Sequence, residues 1–175
     1  MSNLRRQLEQ LLTGRVCFMG LGNVEYGDDA FGVRLAEALS GAGVPDVIIA
    51  GVVPHRGIGQ LVGFDHVVFL DAIEFGGTPG DAVFLDSAEM TSRFPQISTH
   101  KISLSVLAQW VEATGKTKAW LLGAQPESLR TRQPITPAVR DTVDLLCELI
   151  TTSPAGTATP DHAASTSRTL TEVNV

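Results

Sequence analysis

At 175 residues and 18.6 kDa the chain is the size of one domain, and with 43% hydrophobic against 18% charged residues it can bury a core, which excludes wholesale disorder. The net charge of −6 and pI near 5.1 have the wrong sign for tracking phosphates along nucleic acid or for a basic role at a membrane surface. Residues 1–13 are polar and charged with scattered leucines, without the apolar core of a leader, and the apolar runs elsewhere are strand-sized, so a cytoplasmic chain is expected.

In chain order, residues 16–21 form an apolar run that stops at Gly20-Leu21-Gly22-Asn23, the pattern of a buried strand ending in a tight turn. From Asp28 the period changes: Phe31, Leu35, Ala38 and Leu39 fall on one helical face, with Arg34 and Glu37 opposite and Gly41 past the end. Residues 47–53 and 66–71 are β-branched runs without polar alternation, as in strands covered on both faces of a parallel sheet. Residues 57–62 supply a short crossover helix between them. A further strand is expected at 81–85, but only residues 72–80 separate it from the previous one. A parallel crossover needs about 10 to 12 residues, so this strand is expected to run antiparallel.

Leu104, Leu107, Ala108 and Val111 mark another helix, ended by Gly115; residues 119–123 read as the next buried strand. Thr136-Pro137 has the chemistry of an N-cap and first helical residue, opening a helix with Val139, Val143, Leu146 and Ile150 on its core face. Alternating strands and helices of this kind make a three-layer α/β domain with a mixed sheet over residues 1–150. Residues 151–175 contain 17 Thr, Ser, Ala, Pro or Gly and are expected to form a disordered tail, since they cannot offset chain entropy by burial. Cys17 and Cys147, 130 residues apart in apolar runs, read as free thiols.

In a parallel sheet, ligands collect beyond the carboxyl ends of the strands. Residues 20–29, Asp71 and residues 123–127 all follow such ends, and His100, ahead of the 104–111 helix, can reach the same edge. Nucleotide binding is disfavoured. Glu25 stands where a dinucleotide fingerprint needs glycine, and Asp28-Asp29 replaces the Lys-Ser/Thr of a phosphate loop. Asp28 is expected to cap the helix while Asp29 faces the crevice. Asp71, after five apolar or aromatic positions begun by His66, is costly unless partnered, which makes it a ligand or catalytic candidate. Two carboxylates and an imidazole form an O, O, N set suited to Zn, Ni, Mn or Fe(II) with coordination positions left open. There is no serine elbow; Asp28 is the one side chain carried as a candidate catalytic group, and His55 is a further crevice candidate.

Taken together, Gly20-x-Gly22-Asn23-x4-Asp28-Asp29-x2-Gly32-Val33, Asp71-Ala72, Thr99-His100 and Gly123-x-Gln125-Pro126-Glu127 resemble the nickel-iron hydrogenase maturation endopeptidases. The resemblance implies a three-layer α/β/α sandwich of phosphorylase/hydrolase-like type, with a five-stranded mixed sheet and one antiparallel strand. It implies an endopeptidase that removes the C-terminal extension of the hydrogenase large-subunit precursor after nickel insertion, with metal ligands falling on Asp29, Asp71 and His100. Nickel would arrive on the substrate, and zinc or cadmium would substitute at the same donors. The precursor is the expected partner, with no nucleic acid and no membrane, and the chain is expected to be a monomer. Ala30, where many relatives have Gly, and Glu25, in a usually more apolar stretch, depart from the pattern and leave the hydrogenase class open. Two alternatives stay open: a non-catalytic nickel-binding accessory protein, and a self-sufficient zinc-type metallopeptidase.

Overall fold

The computed structural model describes residues 2–54, 57–93, 103–113 and 115–153. Five strands form one sheet: β1 (Val16–Leu21), β2 (Val47–Gly51), β3 (His66–Ala72), β4 (Ala82–Asp86) and β5 (Lys118–Ala124). They lie in the order β2-β1-β3-β5-β4, with every pairing parallel except that of β4 with β5. The expected antiparallel strand is therefore present, at 82–86, and it occupies one edge.

Period-two alternation splits the strands between two cores. Phe18 of β1, Val68 and Leu70 of β3 and Leu122 of β5 face one core with helices α1 (Ser2–Leu11), α2 (Phe31–Gly41) and α5 (Pro137–Thr152). Cys17, Met19, Val67, Phe69 and Leu121 face the other, under α3 (Ser87–Arg93) and α4 (Leu104–Glu112). This is the three-layer sandwich, and burial on both faces is why the central strands carry no polar alternation.

Strand β2 departs from the expectation that it is covered on both faces. It is the other edge strand, and Ile49 is 52% exposed. β-branched composition reports strand propensity, and an edge position keeps that propensity while losing one neighbour. Among the described residues of its crossover to β3, the 3-10 turn Ile58–Gln60 stands where the short crossover helix over 57–62 was expected.

Two helices lie where sequence periodicity is weak. In α1, Leu4, Leu8 and Leu11 form a narrow stripe, with Leu8 and Leu11 buried beneath an otherwise charged segment. In α3, Met90 alone is a buried apolar anchor, too little to show a period. The helix after the first strand also begins later than its pattern: residues 27–30 are a separate 3-10 turn, Gly27–Ala30, and α2 starts at Phe31. α2 closes on a left-handed Gly43, whose neighbour Val44 donates its amide to the Leu39 carbonyl at 3.0 Å. α5 continues past Ile150 to Thr152, and Ser153 is buried. The tail from residue 154, His55 and His100 lie outside the described residues. Among the described residues, no helix is long and apolar enough to cross a membrane.

Candidate active site at the carboxyl edge of the sheet

The four parallel strands deliver their carboxyl ends to one edge. β1 ends at Leu21, beside β2, where Gly22 donates its amide to the Gly51 carbonyl at 3.2 Å. β3 ends at Asp71-Ala72, paired in register with Gly123-Ala124 of β5. The three segments marked in the sequence therefore meet there.

Two glycines draw the first of these segments onto the second. At Gly22, with φ of 119°, a Cβ would collide with the main-chain carbonyl of Asp29. At Gly32 a Cβ would fall on the carbonyl oxygens of Leu70 and Leu21, so α2 and the turn before it lie directly on the ends of β1 and β3. The Gly27–Ala30 turn packs against β3 as a result. Asp29 and Asp71 are thus carried to the same end of the sheet by contiguous backbone, both buried.

Asp29 accepts a 2.8 Å bond from the Asn23 amide through Oδ2, and Asn23 in turn accepts the Glu25 amide at 3.0 Å through its side-chain oxygen. That Asx turn leaves Glu25 on the exposed rim, not in the buried part of the site. Asp71 is fully buried at the last turn-out of β3, on the strand face that looks toward α3 and α4 by its parity with Val67 and Phe69.

Asp28 does not cap the helix that follows it. The turn's N-cap position is Tyr26, without a side-chain bond. The Asp28 carboxylate, fully buried, instead reaches across 99 to 108 positions of sequence. Its Oδ2 accepts the amides of Glu127 (2.8 Å) and Ser128 (3.0 Å) and the hydroxyl of Thr136 (3.0 Å), and its Oδ1 accepts the Thr136 amide at 2.7 Å. Thr136 and Pro137 do open α5 as expected, but the threonine hydroxyl serves Asp28 rather than its own helix. The structure thus gives this candidate catalytic group, fully buried and accepting four donors, a fastening role between distant segments. Only tertiary contacts could reveal this partner set, since nothing local in residues 27–30 points to residues 127–136.

Gln125, in the segment after β5, has a similar fastening role. Its Oε1 accepts the successive amides of Phe75, Gly76 and Gly77 at 2.9, 3.0 and 3.1 Å, and so fixes the loop that follows Asp71. Three converging donors also settle which side-chain atom is the oxygen.

The cysteines are free and unsuited to nucleophilic work. Cys17 lies mid-strand in the core, where burial, aided by Asp46, pushes its thiol up to about 12; Cys147 is raised by burial and by Asp144. His66, at the opposite end of β3, accepts the Trp120 indole N–H at 3.1 Å through Nδ1, and burial lowers its pKa against the opposing pull of Asp65. It is a structural histidine. Among the described residues, no three His, Cys, Asp or Glu side chains converge on one point. The structure brings Asp29 and Asp71 to one edge, and the third expected ligand, His100, lies outside the described residues.

The chain is similar to known proteins over most of its length. The family model of the HycI hydrogenase maturation protease matches residues 33–153, a stretch that contains Asp71 and His100 and begins just after Asp29. The Hydrogenase 2 maturation protease of Escherichia coli K12 is 30% identical over 144 residues, covering 78% of this chain and 88% of that protein. The hydrogenase expression/formation protein HupD of Bradyrhizobium diazoefficiens is 28% identical over 150 residues, 78% of each chain. The crystal structure of the [NiFe] hydrogenase maturation protease HycI from Thermococcus kodakarensis superposes with a TM-score of 0.73 at 33% identity, covering 83% of this chain and 96% of that one. The chain belongs to the hydrogenase maturation protease family, a family of endopeptidases.

Proposed function

We propose that this protein removes the C-terminal extension of a nickel-iron hydrogenase large-subunit precursor, and that it does so only after nickel has been inserted. In this reading nickel is cargo on the substrate, held by the precursor's cysteinates, and Asp29, Asp71 and His100 recognise it. The observation that carries the reading is the delivery of two buried carboxylates, Asp29 and Asp71, to one edge of the sheet by separate elements. Carboxylate oxygens are hard, anionic donors, so two of them at one edge, joined by an imidazole, suit a dication.

The position of α4 supports the third donor. Its C-terminal residue Glu112 accepts the Ala119 amide at 3.1 Å, at the amino end of β5, so the amino end of the helix lies toward the carboxyl edge. Ser103, its N-cap, accepts the Val106 amide at 3.4 Å. Two residues, Lys101 and Ile102, separate Ser103 from His100, and the three Cα–Cα steps reach up to about 10 Å.

Two carboxylates and one imidazole leave coordination positions for the precursor's thiolates, and form a weaker cage than a closed four-ligand structural site. The ion thereby ties cleavage to completed metal insertion and places the scissile bond beside the crevice. The chain acts, in this proposal, in the cytoplasm as a monomer.

The test is incubation of the purified chain with nickel-loaded and metal-free precursor, followed by mass analysis. Cleavage of the loaded form alone is expected, with loss of cleavage in Asp29→Asn, Asp71→Asn and His100→Ala. Hydrolysis of metal-free peptides that stops on chelation would establish a self-sufficient metallopeptidase. Nickel binding without any cleavage would establish an accessory protein.

A further inference from the structure

The burial of Asp28 needs a reason beyond capping. A carboxylate wholly removed from water is costly, and here the cost is offset by three backbone amides and a hydroxyl, all charge-assisted. The main chain repeats the connection: Asp28 donates its amide to the Ser128 carbonyl at 2.9 Å, and Gly27 donates to the Gln133 carbonyl at 3.2 Å. The first two residues of the 27–30 turn, Gly27 and Asp28, are therefore fastened to the segment between β5 and α5.

Asp29 is the next residue on that turn. Successive side chains of a 3-10 turn point about 120° apart, so fixing the direction of Asp28 fixes the direction of Asp29. The Asp29 Oδ2 bond to the Asn23 amide, 2.8 Å long, reports where that carboxylate stands. We propose that Asp28 is a positioning residue for Asp29, holding the turn so that the Asp29 carboxylate faces the crevice at a set angle. The functional consequence rests on the reading of Asp29 as a nickel-recognising residue; the geometric claim does not.

The test uses the full chain with Asp28→Asn, which keeps the size and one acceptor but turns an NH2 toward donors. A milder second variant is Thr136→Val, which removes only the hydroxyl. The readout is the Asn23 amide resonance in two-dimensional NMR, referenced to Asp29→Asn, in which the carboxylate is absent. In Asp28→Asn the Asn23 resonance is expected to move most of the way toward its position in Asp29→Asn, with core resonances of β3 unmoved, and in Thr136→Val part of the way. Cleavage of nickel-loaded precursor should fall at least tenfold in kcat/KM in Asp28→Asn. If the Asn23 resonance holds its parent position in both variants while the melting temperature falls, Asp28 is a structural clamp and the proposal is overturned. If the resonance moves but Asp29→Asn cleaves like the parent, the positioning stands and the metal-recognition reading fails instead.

Discussion

Removing the acceptor of Gln125 should loosen the loop that follows Asp71 by a calculable amount. The Gln125 backbone is held independently, since its amide donates to the Asp81 carbonyl at 2.8 Å and its carbonyl accepts the Gly80 amide at 2.9 Å. Substitution by Leu therefore deletes side-chain bonds while the strand pairing persists. Of the three amides that lose their acceptor, that of Gly76 is exposed and rehydrates, while those of Phe75 and Gly77 are half-buried. At about 1 kcal/mol each, the two half-buried donors set a loss of about 2 kcal/mol. For a domain of this size that is a fall in Tm of about 4 to 8 °C. Gln125→Glu supplies the control: it keeps an oxygen facing the three amides and adds charge, while giving up only the 3.3 Å bond from Nε2 to the Pro126 carbonyl. At pH 7 it should melt within about 1 kcal/mol of the parent. Calorimetric melts of the three proteins decide the matter. A Leu variant melting within 1 °C of the parent would refute the reasoning, because water would then satisfy all three amides; a Glu variant as unstable as the Leu variant at pH 7 would refute it equally.

Gly32→Ala should cost about 3 kcal/mol or more in urea unfolding, because its Cβ meets backbone oxygens of Leu70 and Leu21 that cannot rotate away; Gly41→Ala, with open space around it, is the control, and equal midpoints for the two would contradict the close approach. The His66–Trp120 bond requires an unprotonated Nδ1, and with the folded pKa below the unfolded value of about 6.5, its stabilisation is complete above that pH and declines as pH falls through 6.5 toward the folded value. Melting curves of the parent and His66→Leu should therefore converge between pH 7.5 and 5, and parallel curves would exclude the effect. In the native protein at pH 8 a disulfide thiol reagent should leave Cys17 untouched and react only slowly with Cys147, with both reacting in urea; rapid reaction of two native thiols would contradict the burial of Cys17.

The sequence by itself determined the central strands, the antiparallel strand at 82–86, the Thr136-Pro137 helix start and the gathering of residues 20–29, 71 and 123–127 at one edge. These follow from local signals: apolar run length, turn chemistry, helical period, and a connection too short for a parallel crossover. It also singled out Asp71, because a strand-end acid after an apolar run contradicts its surroundings unless it faces a crevice, and Asp29, because a second acid behind the glycine turn exceeds what capping a helix needs. Tertiary structure alone decided the rest. It made β2 an edge strand and gave α1 and α3 the cover that their weak periodicity does not announce. It also assigned the adjacent acids opposite tasks: Asp28 clamps residues 127–136, while Asp29 holds Asn23 at the carboxyl edge of the sheet. The physical reason is range. Propensity and periodicity act over a turn or two of chain, whereas the donors that make burying Asp28 tolerable come from 99 or more residues away and exist as a set only once the sheet has formed.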